Sequence, residues 1–89
     1  MSLDLCFSEM RSLDFVDLLL IDHFYQGGSS AKAARELSLT RPAISHRIVK
    51  IDKKIGGMFD RKNYRPFLTD KGKDIGKRVH QAINIMMES

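Results

Sequence analysis

Four isoleucines place the tightest constraint on this chain. At about 100° per residue, Ile44, Ile48, Ile51 and Ile55 fall within one narrow stripe of a helix. Pro42, Ser45, His46, Val49, Lys50 and Lys53 lie on the opposite side. A helix divided in this way packs one face on a core and turns a polar, partly basic face outward. Thr40 is positioned to cap its first turn, where Pro42 is tolerated because its missing N–H would have no helical acceptor. Gly56-Gly57 ends it.

The neighbouring segments arrange themselves around that helix. From Ser12 to Gln26 the apolar residues Phe15, Leu18, Leu19, Ile21 and Phe24 recur at helical spacing, and Gly27-Gly28 stops the run. Ser29 offers an N-cap for a short alanine-rich helix, Ala31 to Leu37, and the brief Ser38-Leu39 turn leads into the isoleucine-striped helix. Further on, Met58-Phe59 and Phe67-Leu68 bracket a tip of Arg61, Lys62, Asn63, Tyr64, Arg65 and Pro66, which predicts two short strands joined by a basic turn. Thr69 and Asp70 start a long final helix, with Ile75, Val79, Ala82, Ile83 and Met86 along one stripe. The predicted fold is mainly α. A three-helix core containing a helix–turn–helix carries a two-stranded β-wing and a long C-terminal helix. This divides the chain into an N-terminal extension (1–11), the winged helix–turn–helix (12–68) and a linker or dimerisation helix (69–89).

Length excludes much else. Eighty-nine residues make one core and leave little room for a catalytic cleft between domains. No nucleophile–base pair or phosphate loop is visible, so neither an enzyme nor a cofactor is expected. The longest apolar block, Leu18 to Ile21, is fenced by Asp17 and Asp22, far short of a membrane span. The first residues carry Asp4 and Glu9 instead of the basic start of a secretory signal, which points to the cytoplasm. One cysteine, Cys6, and three scattered histidines make no zinc pattern. Asp14, Asp17 and Asp22 read as a solvated helix face, Phe15, Phe24 and Phe59 as core, and His23 and His80 as surface or satisfied histidines.

The distribution of charge is more telling than the net +4. Residues 1–28 hold one base and five acids, whereas residues 29–89 hold fourteen bases and six acids. That asymmetry suits a C-terminal two-thirds facing a phosphate backbone. A two-helix unit with a short turn, its second helix polar outside, is the arrangement that enters the major groove of DNA. Short side chains near the helix start let its backbone approach. Ser45 and His46 then offer hydrogen bonds to base edges, and Arg41 reaches a guanine edge or a phosphate. Lys50 and Lys53 are expected on phosphates, as are Arg61, Lys62 and Arg65 of the wing, one of which can enter the minor groove. Tyr64 at the tip reads either as an aromatic packed on a sugar or as a turn residue.

The string GGSSAKAARELSLTRPAISHRI, with IGGMFDR and LTDKG after it, closely resembles the N-terminal winged helix–turn–helix of LysR-type transcriptional regulators. The likeness runs over residues 12–87 and is carried by many ordered positions. Among them are Gly28-Ser29, Ala33-Ala34, Thr40 to Ser45, Ile55-Gly56, Met58 to Arg61, and Leu68 to Gly72. The resemblance implies that Thr40, Arg41, Pro42, Ser45 and His46 occupy DNA-reading positions, and that Arg61 and the tip after it form the wing. The stripe Ile75, Val79, Ala82, Ile83 and Met86 extends beyond what so small a core covers and reads as a dimer contact, or else as packing on the domain's own first helix; the resemblance also implies a dimer through this last helix. Gly72 and Gly76 would permit close approach there. Such a homodimer would read a partly palindromic double-stranded site.

Three departures matter. The family commonly has Gln where this chain has Arg41 and Arg where it has His46, so the DNA sequence read does not transfer. About a dozen residues precede the first family helix, and Leu3, Leu5, Phe7 and Met10 among them are expected to pack as an extra turn or helix, the alternative being a frayed end. The family also continues into a ligand-sensing domain, of which these residues contain none; no small-molecule site is expected. A rival reading is a protein-interaction module that heterodimerises with a full-length regulator and modulates it.

Overall fold

The computed structural model describes residues 7–88. Its elements in order are α1 (Phe7–Arg11), α2 (Phe15–Tyr25), α3 (Ser30–Glu36), α4 (Arg41–Ile55), β1 (Phe59–Lys62), β2 (Arg65–Leu68) and α5 (Asp70–Met87). This is the predicted order, with α1 added in front. Of the residues expected to pack in that extension, Leu3, Leu5 and the side chain of Phe7 lie outside the described residues. Met10 is half exposed.

Helices α2 to α5 each start where a short polar side chain satisfies a free backbone N–H. Ser29 accepts from Lys32, Thr40 from Ala43 and Thr69 from Gly72. Asp14 and Asp17 form a reciprocal capping box at the start of α2, each carboxylate accepting from the other's backbone N–H at 2.8 and 3.1 Å. A four-residue turn, Leu37 to Thr40, joins α3 to α4 and contains Ser38 at a positive φ.

The core forms where three helices meet the base of the wing. Ile44, Ile48, Ile51 and Ile55 of α4 are all buried, as their spacing predicts, against Leu20, Ile21 and Phe24 of α2 and Ala33 and Ala34 of α3. The two alanines let α3 lie close to α4. Met58, Leu68 and Ile75 close the cluster from the wing and α5. Phe24 meets Phe59 edge to face, ring centroids 5.5 Å apart, which fixes the wing to α2. Phe15, expected in the core, is instead 49% exposed. Because α2 is apolar on most of its faces, its sequence does not reveal which face turns inward.

Two further expectations are corrected by packing. Ile75, assigned to a dimer contact, is 2% exposed and belongs to the domain's own core. Gly72 and Gly76 permit a close approach within the chain. A Cβ on Gly72 would lie 2.2 Å from the Met58 carbonyl oxygen, and one on Gly76 would lie 3.1 Å from Cβ of Tyr25. They let α5 settle onto the wing base and α2. The core therefore runs past residue 68 into the first half of α5.

β1 and β2 pair antiparallel, Phe59 opposite Leu68 and Lys62 opposite Arg65. Asn63 and Tyr64 alone make the turn, both at positive φ, as the tightest hairpin turns require. Asp52 of α4 accepts from the N–H groups of Met58 and Phe59 at 2.8 and 3.0 Å. Lys71 donates to the carbonyls of Ile55 and Gly56, capping the end of α4. Helix and wing are thus tied by hydrogen bonds as well as by the core.

Candidate nucleic-acid interface

With its isoleucine face inward, α4 turns Arg41, Pro42, Ser45, His46, Val49 and Lys53 to the outside, all of them exposed. The wing rises beside its first half. Between them runs an open groove of about 600 Å3, lined by Arg41 and Ser45 of α4 and by Arg61, Tyr64, Arg65 and Pro66 of the wing. The start of α3, Ser29 to Ala31, forms its third side. Lys53 and Arg61 also share a smaller depression with Val49 and Phe59. Arg41, Ser45, Arg61 and Arg65, picked from distant parts of the sequence, therefore meet on one surface. Thr40 acts as the cap of α4, with its hydroxyl accepting from Ala43 at 3.2 Å. His46 and Lys62 are exposed and line neither depression.

Lys50 does not share that open surface. Its ammonium sits 2.5 Å from one carboxylate oxygen of Asp17 and 3.8 Å from Asp14. Arg47, which sequence reasoning passed over, donates to Asp14 at 2.9 Å and to Asp17 at 3.0 Å. Two cations of α4 thus meet the two carboxylates that cap α2. Asp17 is wholly buried and Asp22 nearly so, which overturns their reading as a solvated face. A buried carboxylate needs partners, and Asp17 has the two cations and the Asp14 N–H. The Asp17 N–H, aided by Arg47 and Lys50, holds the Asp14 carboxyl below its ordinary value. The hydrogen bond to Asp14 raises the Arg47 guanidinium above its own. The consequence is mechanical: this cluster fixes the orientation of α4 about its axis.

Two histidine–carboxylate contacts are structural as well. Asp22 accepts from Gln26 at 2.8 Å and lies 2.6 Å from Nδ1 of His80, tying α2 to α5. His23 is satisfied by Glu36 at 3.1 Å and by the backbone of Ser29. Its ring lies against Gly28, where a Cβ would come within 2.1 Å of it, so glycine is needed there. His23 thereby holds the start of α3 under the groove.

A separate, mostly apolar groove of about 460 Å3 is lined by Met10, Leu13, Phe15 and Leu18 and by Val79, Ala82, Ile83 and Met86 of α5, together with Arg78. Ile85, Met86 and Met87, near the end of α5, are each about two-thirds or more exposed. No helix among the described residues is long and apolar enough to cross a membrane.

The comparisons with known proteins agree with this arrangement. Residues 15–73 match the family model described as bacterial regulatory helix-turn-helix protein, lysR family. Among solved structures, the chain is similar to a probable transcriptional regulator from Pseudomonas aeruginosa, at 25% identity and a TM-score of 0.74. The likeness covers 88% of this chain and 26% of that one, so this chain spans about a quarter of the other's length. No curated protein matches the chain.

Proposed function

This chain belongs to the lysR family of bacterial regulatory helix–turn–helix proteins, and from that premise we propose that it reads specific double-stranded DNA as a homodimer, without catalysis. In this reading the first half of α4 lies in the major groove. Arg41, Ser45 and His46 meet base edges, while Thr40 and Pro42 bring the backbone close. Lys53, Arg61, Lys62 and Arg65 take phosphates, with the wing reaching the neighbouring minor groove. Lys50 contributes by holding α4 against α2. The observation that carries the proposal is the single groove shared by Arg41 and Ser45 with Arg61 and Arg65. Three guanidinium groups on one open surface, with no acidic side chain among the described residues that line it, suit a polyanion.

The dimer half of the proposal is supported by the apolar groove along α5. Val79, Ala82, Ile83 and Met86 remain as contact residues once Ile75 is assigned to the core. A two-fold partner would bring a second α4 to a second half-site on the same face of the duplex.

Two substitutions separate base reading from phosphate anchoring. Arg41→Ala is expected to cost about 1–3 kcal/mol at one base position and to relax preference there. Lys53→Ala is expected to weaken binding to all sequences alike and to lower the slope of log K against log salt by about 1. Fluorescence anisotropy across a salt series measures both. If neither change alters binding, the assignment of α4 to the groove is wrong.

A further inference from the structure

At the wing tip, a bulky side chain occupies a backbone conformation that disfavours it. Asn63 and Tyr64 make the two-residue turn at φ of 52° and 64°. Asparagine tolerates this left-handed region, and glycine is the usual second residue of such a turn, because a Cβ there crowds the following carbonyl. A tyrosine in that position is strained, and strain of this kind gathers at binding sites. No packing offsets it, since Tyr64 is 96% exposed. Tyr64 lines the groove together with Arg41, Arg61 and Arg65. Guanidinium groups there suit phosphates, and an uncharged planar ring among them suits the apolar face of the sugar between two phosphates.

We infer that Tyr64 is a DNA contact of the wing, its ring packing on a deoxyribose at the edge of the minor groove, held there at the expense of a relaxed turn. The inference rests on the DNA-binding reading above and adds to it a residue that carries no charge. It predicts opposite effects of one substitution on the free protein and on the complex.

The test uses Tyr64→Gly and Tyr64→Phe, with the best-bound duplex that the unmodified protein recovers from a random-sequence pool as probe. Tyr64→Gly is expected to melt at the same temperature as the unmodified protein or higher, yet to bind at least about fivefold more weakly. Its slope of log K against log salt stays unchanged because no cation is lost, whereas Arg61→Ala flattens that slope. Tyr64→Phe keeps the ring and is expected to bind within about twofold of the unmodified protein. A Tyr64→Gly protein that binds as tightly as the unmodified one overturns the contact, and so does a Tyr64→Phe protein that falls equally far. A lower melting temperature for Tyr64→Gly overturns the strained turn. Failure of the unmodified protein to bind any duplex at low salt removes the DNA-binding reading and this contact together.

Discussion

Replacing Asp17 with alanine is expected to destabilise the fold by about 3 kcal/mol and to lower its melting temperature by roughly 12–24 °C. Breaking a buried ion pair by removing one partner costs about 3–5 kcal/mol, and the lower end applies where the remaining charges keep some access to water. Arg47 and Lys50 are in that position, their side chains 24% and 32% exposed. Half of the capping box at the start of α2 goes with the carboxylate, leaving the Asp14 N–H without its acceptor. Asp14 keeps its own contacts with Arg47 and Lys50, but its carboxylate is half exposed and does not fill the buried position of Asp17. The same cluster adds a pH dependence. Because the Asp14 carboxyl is held below its ordinary value of 3.8, its share of stability is full at neutral pH. That share is lost as pH falls below about 4, through the value of the folded state. Thermal denaturation followed by circular dichroism measures both effects. An Asp17→Ala protein within about 1 kcal/mol of the unmodified one would show that the cluster contributes little.

Ile83→Asp is expected to convert the proposed homodimer to monomers in sedimentation while leaving the fold intact. Ile83 lies outside the buried cluster and lines the mostly apolar groove together with Phe15 and Leu18. A carboxylate there would have to be desolvated if a second helix covered it, and Arg78, which lines the same groove, is already paired with Asp74. The consequence for DNA is large, because linking two reading heads makes the second binding event intramolecular. Losing that link costs about 10²–10⁴ in affinity for a duplex with two half-sites. Affinity for a single half-site should remain. A mass unchanged by the substitution would rule out this interface.

What the sequence makes legible follows the range of the interactions. The isoleucine stripe of α4 and the caps Ser29, Thr40 and Thr69 depend on contacts three or four residues apart, so spacing alone reveals them. The wing is legible for the same reason, as two apolar pairs around a polar tip. The acidic cluster is not, because Asp17 and Arg47 are thirty residues apart and nothing local pairs them. The acidic front and basic remainder of the chain were the available signal, and part of that asymmetry is consumed inside the fold. Phe15 misleads because α2 is apolar on both its core side and its groove side. Gly72 and Gly76 carry the spacing of a helix contact without saying which element comes close. Arg41, Ser45, Arg61 and Arg65 could be picked out by residue type, but only the folded hairpin brings the wing arginines to the mouth of the helix–turn–helix. Ser29 and Ser30 escaped notice as groove residues because one of them already served as a cap.

If the first half of α4 reads base sequence while the wing holds the duplex, repeated selection from a random-sequence duplex pool by the unmodified protein, followed by sequencing, enriches two inverted half-sites about one helical turn apart, roughly 10 base pairs. The same selection with Arg41→Ala then loses preference at one position in each half-site. A pool that stays random after selection, or one enriched identically by the Arg41→Ala protein, would mean that α4 does not read base sequence.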